Sequence, residues 1–361
     1  MKIYIRADSS EQIGTGHIMR CLTLADELRD TGVIANFICY DFPGSIVGFI
    51  KQSGYSVHVL SYPLLEDEAI ASHYEHVKRY WKDDAEQTKA ILAAADEIDW
   101  LVIDHYSIDK RWESYVSSHV KQMMVIDDMA DRKHICILLL DQNYSLKPNR
   151  YDGLVPDNCI KLLGPRYALL RPQFREMRKI MRGRSGEVRR VLVFMGGIDL
   201  SNETAKVLAA IKLLDRPGID VDVVLGDAAP HKTDVKKLCA SMPNVAFHCQ
   251  VENMAQFMAR ADLAIGASGS ATWERCCMGL PSIVIVIAEN QKKPAESLHE
   301  KGIVVNLGWH EELNEKDISH AVKCLIADAA ARKAMEDLGK GLVDGEGAER
   351  VAARLVPPGS Q

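Results

Sequence analysis

His17 follows Gly14-Thr15-Gly16 at the point where an extended start gives way to an amphipathic segment. An imidazole, with an ordinary pKa of about 6.5, accepts a proton at neutral pH without much tuning. Flanking glycines carry no Cβ, so a ligand can approach the backbone, and a helix start nearby favours an anion. A histidine that merely caps a helical turn is the plainer alternative. A dinucleotide fingerprint would need a third glycine where Met19 stands. With Asp41 as a ribose carboxylate, a dehydrogenase is therefore the lesser reading, and His17 is the candidate general base.

A second chemical stretch is the loop 266–272, Gly-Ala-Ser-Gly-Ser-Ala-Thr, before a helix that begins near Trp273. Small residues let backbone N–H groups converge, and the hydroxyls of Ser268, Ser270 and Thr272 add donors around Gly269. No Gly-Lys-Ser/Thr ending follows, so ATP hydrolysis is not expected. Glu274, in the first helical turn, either complements the helix dipole or accepts hydrogen bonds from a ribose; the loop before it favours the ribose. Other polar groups recur where apolar runs end: Asp104-His105-Tyr106, Asp127-Asp128, Asp141-Gln142-Asn143, Met195-Gly196-Gly197 and Glu289-Asn290-Gln291. Helix capping explains Asp127 and Asp128 more simply than function does.

The elements that must carry these groups alternate between strand and helix. Residues 1–7 alternate apolar and polar, as a half-buried strand does, and Ile18, Cys21, Leu22, Ala25 and Leu28 then mark one helix face before Gly32. Strands are expected at 36–40, 56–60, 100–103, 123–126 and 137–140. Residues 65–96 read as helical, with Tyr74, Val77, Tyr80 and Trp81 as core or interdomain packing. A linker of Gly-Pro, Arg-Pro and basic residues spans 163–187, after which strands are expected at 191–194, 221–225, 245–247, 263–265 and 282–287. The fold class is α/β: two doubly wound, Rossmann-like domains at 1–165 and 188–340, with 341–361 ending in a helix at 348–355. In such sheets ligands bind at the carboxyl ends of the strands, where all these polar groups stand.

Composition narrows the partners. With 361 residues and a formal charge of −6, the chain has length for two cores and no basic excess for nucleic acid. No apolar run is long enough to span a membrane, and the start lacks a leader pattern, so a cytoplasmic protein is expected. Nine scattered cysteines without a C-x-x-C pair read as reduced and mostly buried. His73 and His76 could share a helix face, but no cluster completes a metal site; no metal and no cofactor are expected.

Two such domains, with a histidine turn in one and a Gly/Ser loop plus Glu in the other, resemble the GT-B architecture, whose domains face one another across a cleft. Asp8-Ser9-Ser10, Ile13-Gly14-Thr15-Gly16-His17, Asp104-His105-Tyr106, Met195-Gly196-Gly197 and Glu289-Asn290-Gln291, in that order, resemble the UDP-sugar hydrolases of pseudaminic acid biosynthesis. The resemblance implies hydrolysis of UDP-2,4-diacetamido-2,4,6-trideoxy-β-L-altropyranose by inverting, metal-independent water attack at the anomeric carbon. It implies His17 as base, Asp8 orienting it, and Tyr106 and Asn290 at the sugar. Gly14, Gly16, Gly196, Gly197, Ser268, Gly269, Ser270, Glu274 and Gln291 would bind substrate, with Gly197 and Ser268 to Ser270 offering N–H groups to the leaving UDP. The last helix would cross back to the first domain. The nearest rival is a GT-B glycosyltransferase that passes the sugar to an acceptor hydroxyl. The sequence names no partner protein.

Overall fold

The computed structural model describes residues 1–62, 72–181, 183–184 and 186–356. Of the expected helical stretch 65–96, residues 65–71 lie outside the described residues, as do Arg182 and Ser185 of the expected linker. The chain forms two compact units. One comprises residues 1–143, 147–169 and the chain from Gly347; the other comprises 144–146 and 170–346.

The N-terminal unit holds β1 (Lys2–Ala7), α1 (Gly16–Asp30), β2 (Ile34–Tyr40), α2 (Val47–Gln52), β3 (Ser56–Leu60), α3 (His73–Arg79), α4 (Trp81–Ala93), β4 (Trp100–Asp104), α5 (Lys110–Val116), β5 (Gln122–Ile126), β6 (Leu138–Asp141) and β7 (Ile160–Leu163). Its sheet is parallel, in the order β3-β2-β1-β4-β5-β6-β7. Strand order therefore reverses between β1 and β4, which opens a crevice at their carboxyl ends. The register pairs Ala7 with Asp104, so the exit of β1 stands beside the last residue of β4.

β4 is buried on both faces, which explains its unbroken apolar run. β1 departs from the half-buried pattern expected of its alternation, because Arg6 is fully buried and ion-paired to Asp8 at 2.7 Å and Asp84 at 2.6 Å. A paired guanidinium thus occupies a place the alternation assigned to solvent. All five expected residues of the α1 face are buried in a core shared with Ala348, Val351, Ala352 and Leu355.

The C-terminal unit holds α6 (Pro172–Ile180), β8 (Arg190–Phe194), α7 (Glu203–Lys212), β9 (Asp220–Leu225), α8 (Lys232–Ala240), β10 (Val245–Cys249), α9 (Met254–Arg260), β11 (Leu263–Ala267), α10 (Ala271–Cys277), β12 (Ser282–Val286), α11 (Glu289–Glu300), β13 (Val305–Trp309), α12 (Glu315–Ala327) and α13 (Ala329–Leu342). Its parallel sheet runs β10-β9-β8-β11-β12-β13 and reverses between β8 and β11. The stretch read as a linker contains α6, and its arginines fasten it. Arg178 donates to the carbonyls of Cys277, Val343 and Lys340, and Arg184 to those of Ala261, Met258, Met278 and Gly279. These bonds satisfy carbonyls that helix ends leave unpaired.

α14 (Gly347–Leu355) closes the described chain in the N-terminal unit, where the carbonyl of Leu355 accepts from the Trp100 indole at 3.1 Å.

Candidate functional site

In the N-terminal unit the site is built at the β1/β4 reversal. Gly14 has φ of +78°, which only glycine adopts cheaply, and its N–H closes a tight turn on the Ser10 carbonyl at 2.8 Å. That turn starts α1 at Gly16, placing His17 in its first turn and Arg20 one turn on, both largely buried.

Both side chains meet Asp104. Nδ1 of His17 lies 2.6 Å from Asp104 Oδ1, while Arg20 donates to both oxygens of that carboxylate at 2.6 and 2.7 Å. Burial alone would raise the Asp104 pKa, but the Arg20 and His17 charges overcome it and hold the carboxyl well below the usual range. An ionised Asp104 accepts only, so Nδ1 carries the proton and Nε2 presents a lone pair. Nε2 in turn lies 3.1 Å from the Tyr74 hydroxyl.

Tyr106 belongs to the same group. Its ring stands edge-on to His17 with centroids 4.6 Å apart, and its hydroxyl donates to Asp128 Oδ2 at 2.8 Å. Arg20 reaches that oxygen too, at 2.8 Å, while Asp128 Oδ1 is buried without a hydrogen-bond partner. Asp127 and Asp128 cap no helix, since none follows β5 before β6. Asp127 instead accepts from the Ala130 N–H and ion-pairs with Arg132. Beside them, burial and then the charge of Asp128 push the Asp141 carboxyl up to about 7.

The expectation that Asp8 orients His17 is corrected. Asp8 ion-pairs with Arg6 and accepts the Tyr40 N–H at 2.8 Å, and His105 Nε2 lies 3.4 Å from its other oxygen. The orienting carboxylate is Asp104, carried by the strand that neighbours β1 in the sheet. Asp41 accepts from the Ser45 hydroxyl.

In the C-terminal unit Gly196 and Gly197 follow β8, and the stretch 266–272 closes β11, turns at Ser268 to Ser270 and opens α10, both at that sheet's reversal. A Cβ at Gly266 would lie 2.5 Å from the Phe194 carbonyl and 2.7 Å from Arg275 Nη1, so the close approach of β8 and the buried Arg275 requires glycine. Arg275 donates to the Ala267 carbonyl and the Thr272 hydroxyl, each at 2.9 Å. Desolvation lowers its pKa to about 10, leaving a cation beneath the loop at neutral pH.

The N–H groups of Gly269, Ser270 and Ala271 have no acceptor among the described residues. Ser268 differs from expectation: its N–H is taken by the Ile285 carbonyl at 3.1 Å, and its buried hydroxyl is the group left without a partner. The start of α7 is already satisfied, because Asp199 accepts from the N–H groups of Glu203 and Thr204. Of these two helix starts, the one after β11 thus keeps its donors for an anion.

Glu274 lies 3.8 Å from Arg171, and burial raises its pKa against that cation. Gln291 accepts from the Ile287 N–H at 3.1 Å and sets its amide nitrogen 3.5 Å from where a Cβ on Gly269 would stand. Asn290 occupies the first turn of α11 beside it. His17 and Tyr106 are therefore brought together in one unit, and Ser268, Gly269, Ser270, Glu274 and Gln291 in the other.

Four participants escaped the sequence reading as such: Arg20, Asp104 in its role as partner to His17, Tyr74, and Arg275. Arg20 carried a signal, since an arginine three residues after His17 on a helix face calls for a buried carboxylate. Among the described residues no cluster suits a metal ion, and no helix is long and apolar enough to cross a membrane.

Residues 191–350 match the family model of the glycosyltransferase family 28 C-terminal domain. The chain is 28% identical over 305 residues to a UDP-2,4-diacetamido-2,4,6-trideoxy-β-L-altropyranose hydrolase of Campylobacter jejuni, covering 84% of this chain and 98% of that protein. It is 25% identical over 358 residues to the spore coat polysaccharide biosynthesis protein SpsG of Bacillus subtilis, covering 98% of each. Among solved structures it is similar to MurG of Acinetobacter baumannii, with a TM-score of 0.66, 12% identity and coverage of 98% and 99%. The fold, two parallel-sheet α/β domains of seven and six strands, is that of GT-B glycosyltransferases.

Proposed function

We propose that this chain hydrolyses a UDP-sugar, UDP-2,4-diacetamido-2,4,6-trideoxy-β-L-altropyranose or a close analogue, to UDP and the free sugar. The observation that carries this reading is the Arg20–Asp104–His17 arrangement: a carboxylate held ionised by a guanidinium fixes the imidazole as an Nε2 acceptor, the form a general base needs. The name of the Campylobacter jejuni relative supports hydrolysis and supplies the sugar.

His17 drives water onto the anomeric carbon as the bond to UDP breaks, with inversion. Charge developing on UDP is met by the N–H groups of Gly269 and Ser270, by that of Gly197, by the Ser268 hydroxyl and by the field of Arg275. Glu274 accepts from the ribose hydroxyls. Tyr106, Asn290 and Gln291 contact the rest of the substrate, and Gly14, Gly16 and Gly196 leave their backbones open to it. The reading places the protein in the cytoplasm, in keeping with nine unbonded cysteines.

A transferase is the second reading, favoured by the family 28 match of residues 191–350. One experiment tests both. Incubation with the UDP-sugar in heavy-oxygen water and EDTA, without acceptor, should release UDP and place the label on the sugar. Label in UDP would mean attack at phosphorus, and UDP release that waits for an added acceptor would mean transfer.

A further inference from the structure

The only lone pair that His17 can offer is already engaged. With Nδ1–H donated to Asp104, Nε2 accepts from the Tyr74 hydroxyl at 3.1 Å. Tyr74 is held there from several sides. Its ring stacks on Tyr106 at 5.5 Å and meets His105 edge-on at 5.6 Å, and its carbonyl accepts from the Ser107 hydroxyl at 2.7 Å. The start of α3 is tied to the loop before α1 through the His73 N–H and the Gln12 side chain at 2.9 Å. Nothing in this packing requires a hydroxyl except His17 itself.

We propose that Tyr74 is a further catalytic residue, which touches the attacking water and relays its proton to His17. This rests on the hydrolase reading above. In the step, one O–H bond of water breaks and its proton passes to the Tyr74 oxygen as the tyrosine's own proton passes to His17 Nε2. The water oxygen forms its bond to the anomeric carbon, and the electron pair of the old carbon–oxygen bond leaves with UDP. Tyr74 ends neutral, as it began, and the imidazolium rests on Asp104. Burial and the nearby Asp104 charge raise the Tyr74 pKa, so a free phenolate is no resting point and the two transfers are concerted.

The test uses the full chain and Tyr74→Phe, which keeps the ring and its stacking. With the UDP-sugar as substrate, kcat should fall by about 10²-fold or more, the worth of a positioned proton-transfer group, while the Kd for UDP is unchanged. Fluorotyrosines placed at position 74 should alter kcat in the order of their acidity, and mixtures of light and heavy water should report two moving protons in the native protein and one in Tyr74→Phe. A variant that turns over within about threefold of native, or fluorotyrosines without effect, would overturn the relay and leave Tyr74 a packing residue. Nitrogen NMR of labelled histidine separates this from the underlying reading. Tyr74→Phe should move the Nε2 signal of His17 and spare Nδ1; an unmoved Nε2 overturns the contact whether or not the protein turns over. A native protein whose Nε2 responds but which releases no UDP overturns the hydrolase reading, and the water relay with it.

Discussion

Asp104→Asn keeps the shape of the side chain and removes its charge. In the native site one oxygen of Asp104 serves His17 Nδ1 and Arg20 Nη2, both at 2.6 Å, and the other serves Arg20 Nε at 2.7 Å. An amide has one oxygen and an NH₂ group, so in either orientation the NH₂ opposes an Arg20 N–H: Nη2 on the side shared with His17, or Nε on the other. In both orientations the negative charge is gone, and the imidazolium that forms when His17 takes a proton loses its counter-charge. With the NH₂ on the His17 side, Nδ1 must also accept and Nε2 carries the proton. Turnover should fall by about 10² to 10⁴, which is about 2.7 to 5.4 kcal/mol at 1.36 kcal/mol per tenfold. Stability also drops, because Arg20 keeps a single charged partner, Asp128. Breaking a buried ion pair outright costs about 3 to 5 kcal/mol, and the retained amide oxygen puts this case at the low end or below. The assay is UDP release at saturating substrate, with a thermal melt to establish folding and a UDP titration to show that the UDP binding proposed for the 266–272 stretch is unchanged. A folded Asp104→Asn protein that turns over within about threefold of native would refute the dependence of His17 on the Asp104 charge.

Three other predictions concern the base, the nucleotide and acid stability. His17→Asn should lower turnover by about 10² to 10⁴ with UDP affinity little changed; normal turnover would place the base elsewhere. Glu274→Ala should weaken UDP binding without abolishing the chemical step, and an unchanged Kd for UDP would leave Glu274 to its helix dipole. Asp141, pushed up to about 7 by burial and Asp128, has a folded pKa above its unfolded value, so the folded state holds its proton the more tightly. Its contribution is present below about pH 4, the unfolded range, and is lost as pH rises toward 7. Asp141→Asn cannot ionise, so the fall in Tm over that interval should shrink; an unaltered Tm profile would contradict the assignment.

Much of the frame was legible because buried parallel strands write themselves as apolar runs. β4, β11 and β12, buried on both faces, stood out, and so did the polar residues at their ends. β7 and β13 did not, since each lies at a sheet edge and is only partly buried. The glycine turn located His17, but the family resemblance pointed to Asp8 as its carboxylate. The true partner is set by strand order, which pairs Ala7 with Asp104 across 97 positions of chain, and no local pattern encodes that. Arg6 and Arg20 were hidden for a related reason: a guanidinium amid apolar neighbours looks like a lapse in periodicity until the carboxylates that meet it are seen. Tyr74 lay in an aromatic group whose plainest use is packing.

The terminal helix has a bearing on how the protein is made. Val351 and Leu355 complete the core against which α1 rests, yet they are synthesised after the whole of the second unit. On the ribosome, a nascent chain that has passed Leu169 still lacks the side chains that complete this core, whereas the later unit has all its residues once Glu346 is made. The helix that bears His17 is thus among the last pieces to be locked, and a stop codon shortly before Gly347 would strike the start of the chain rather than its end.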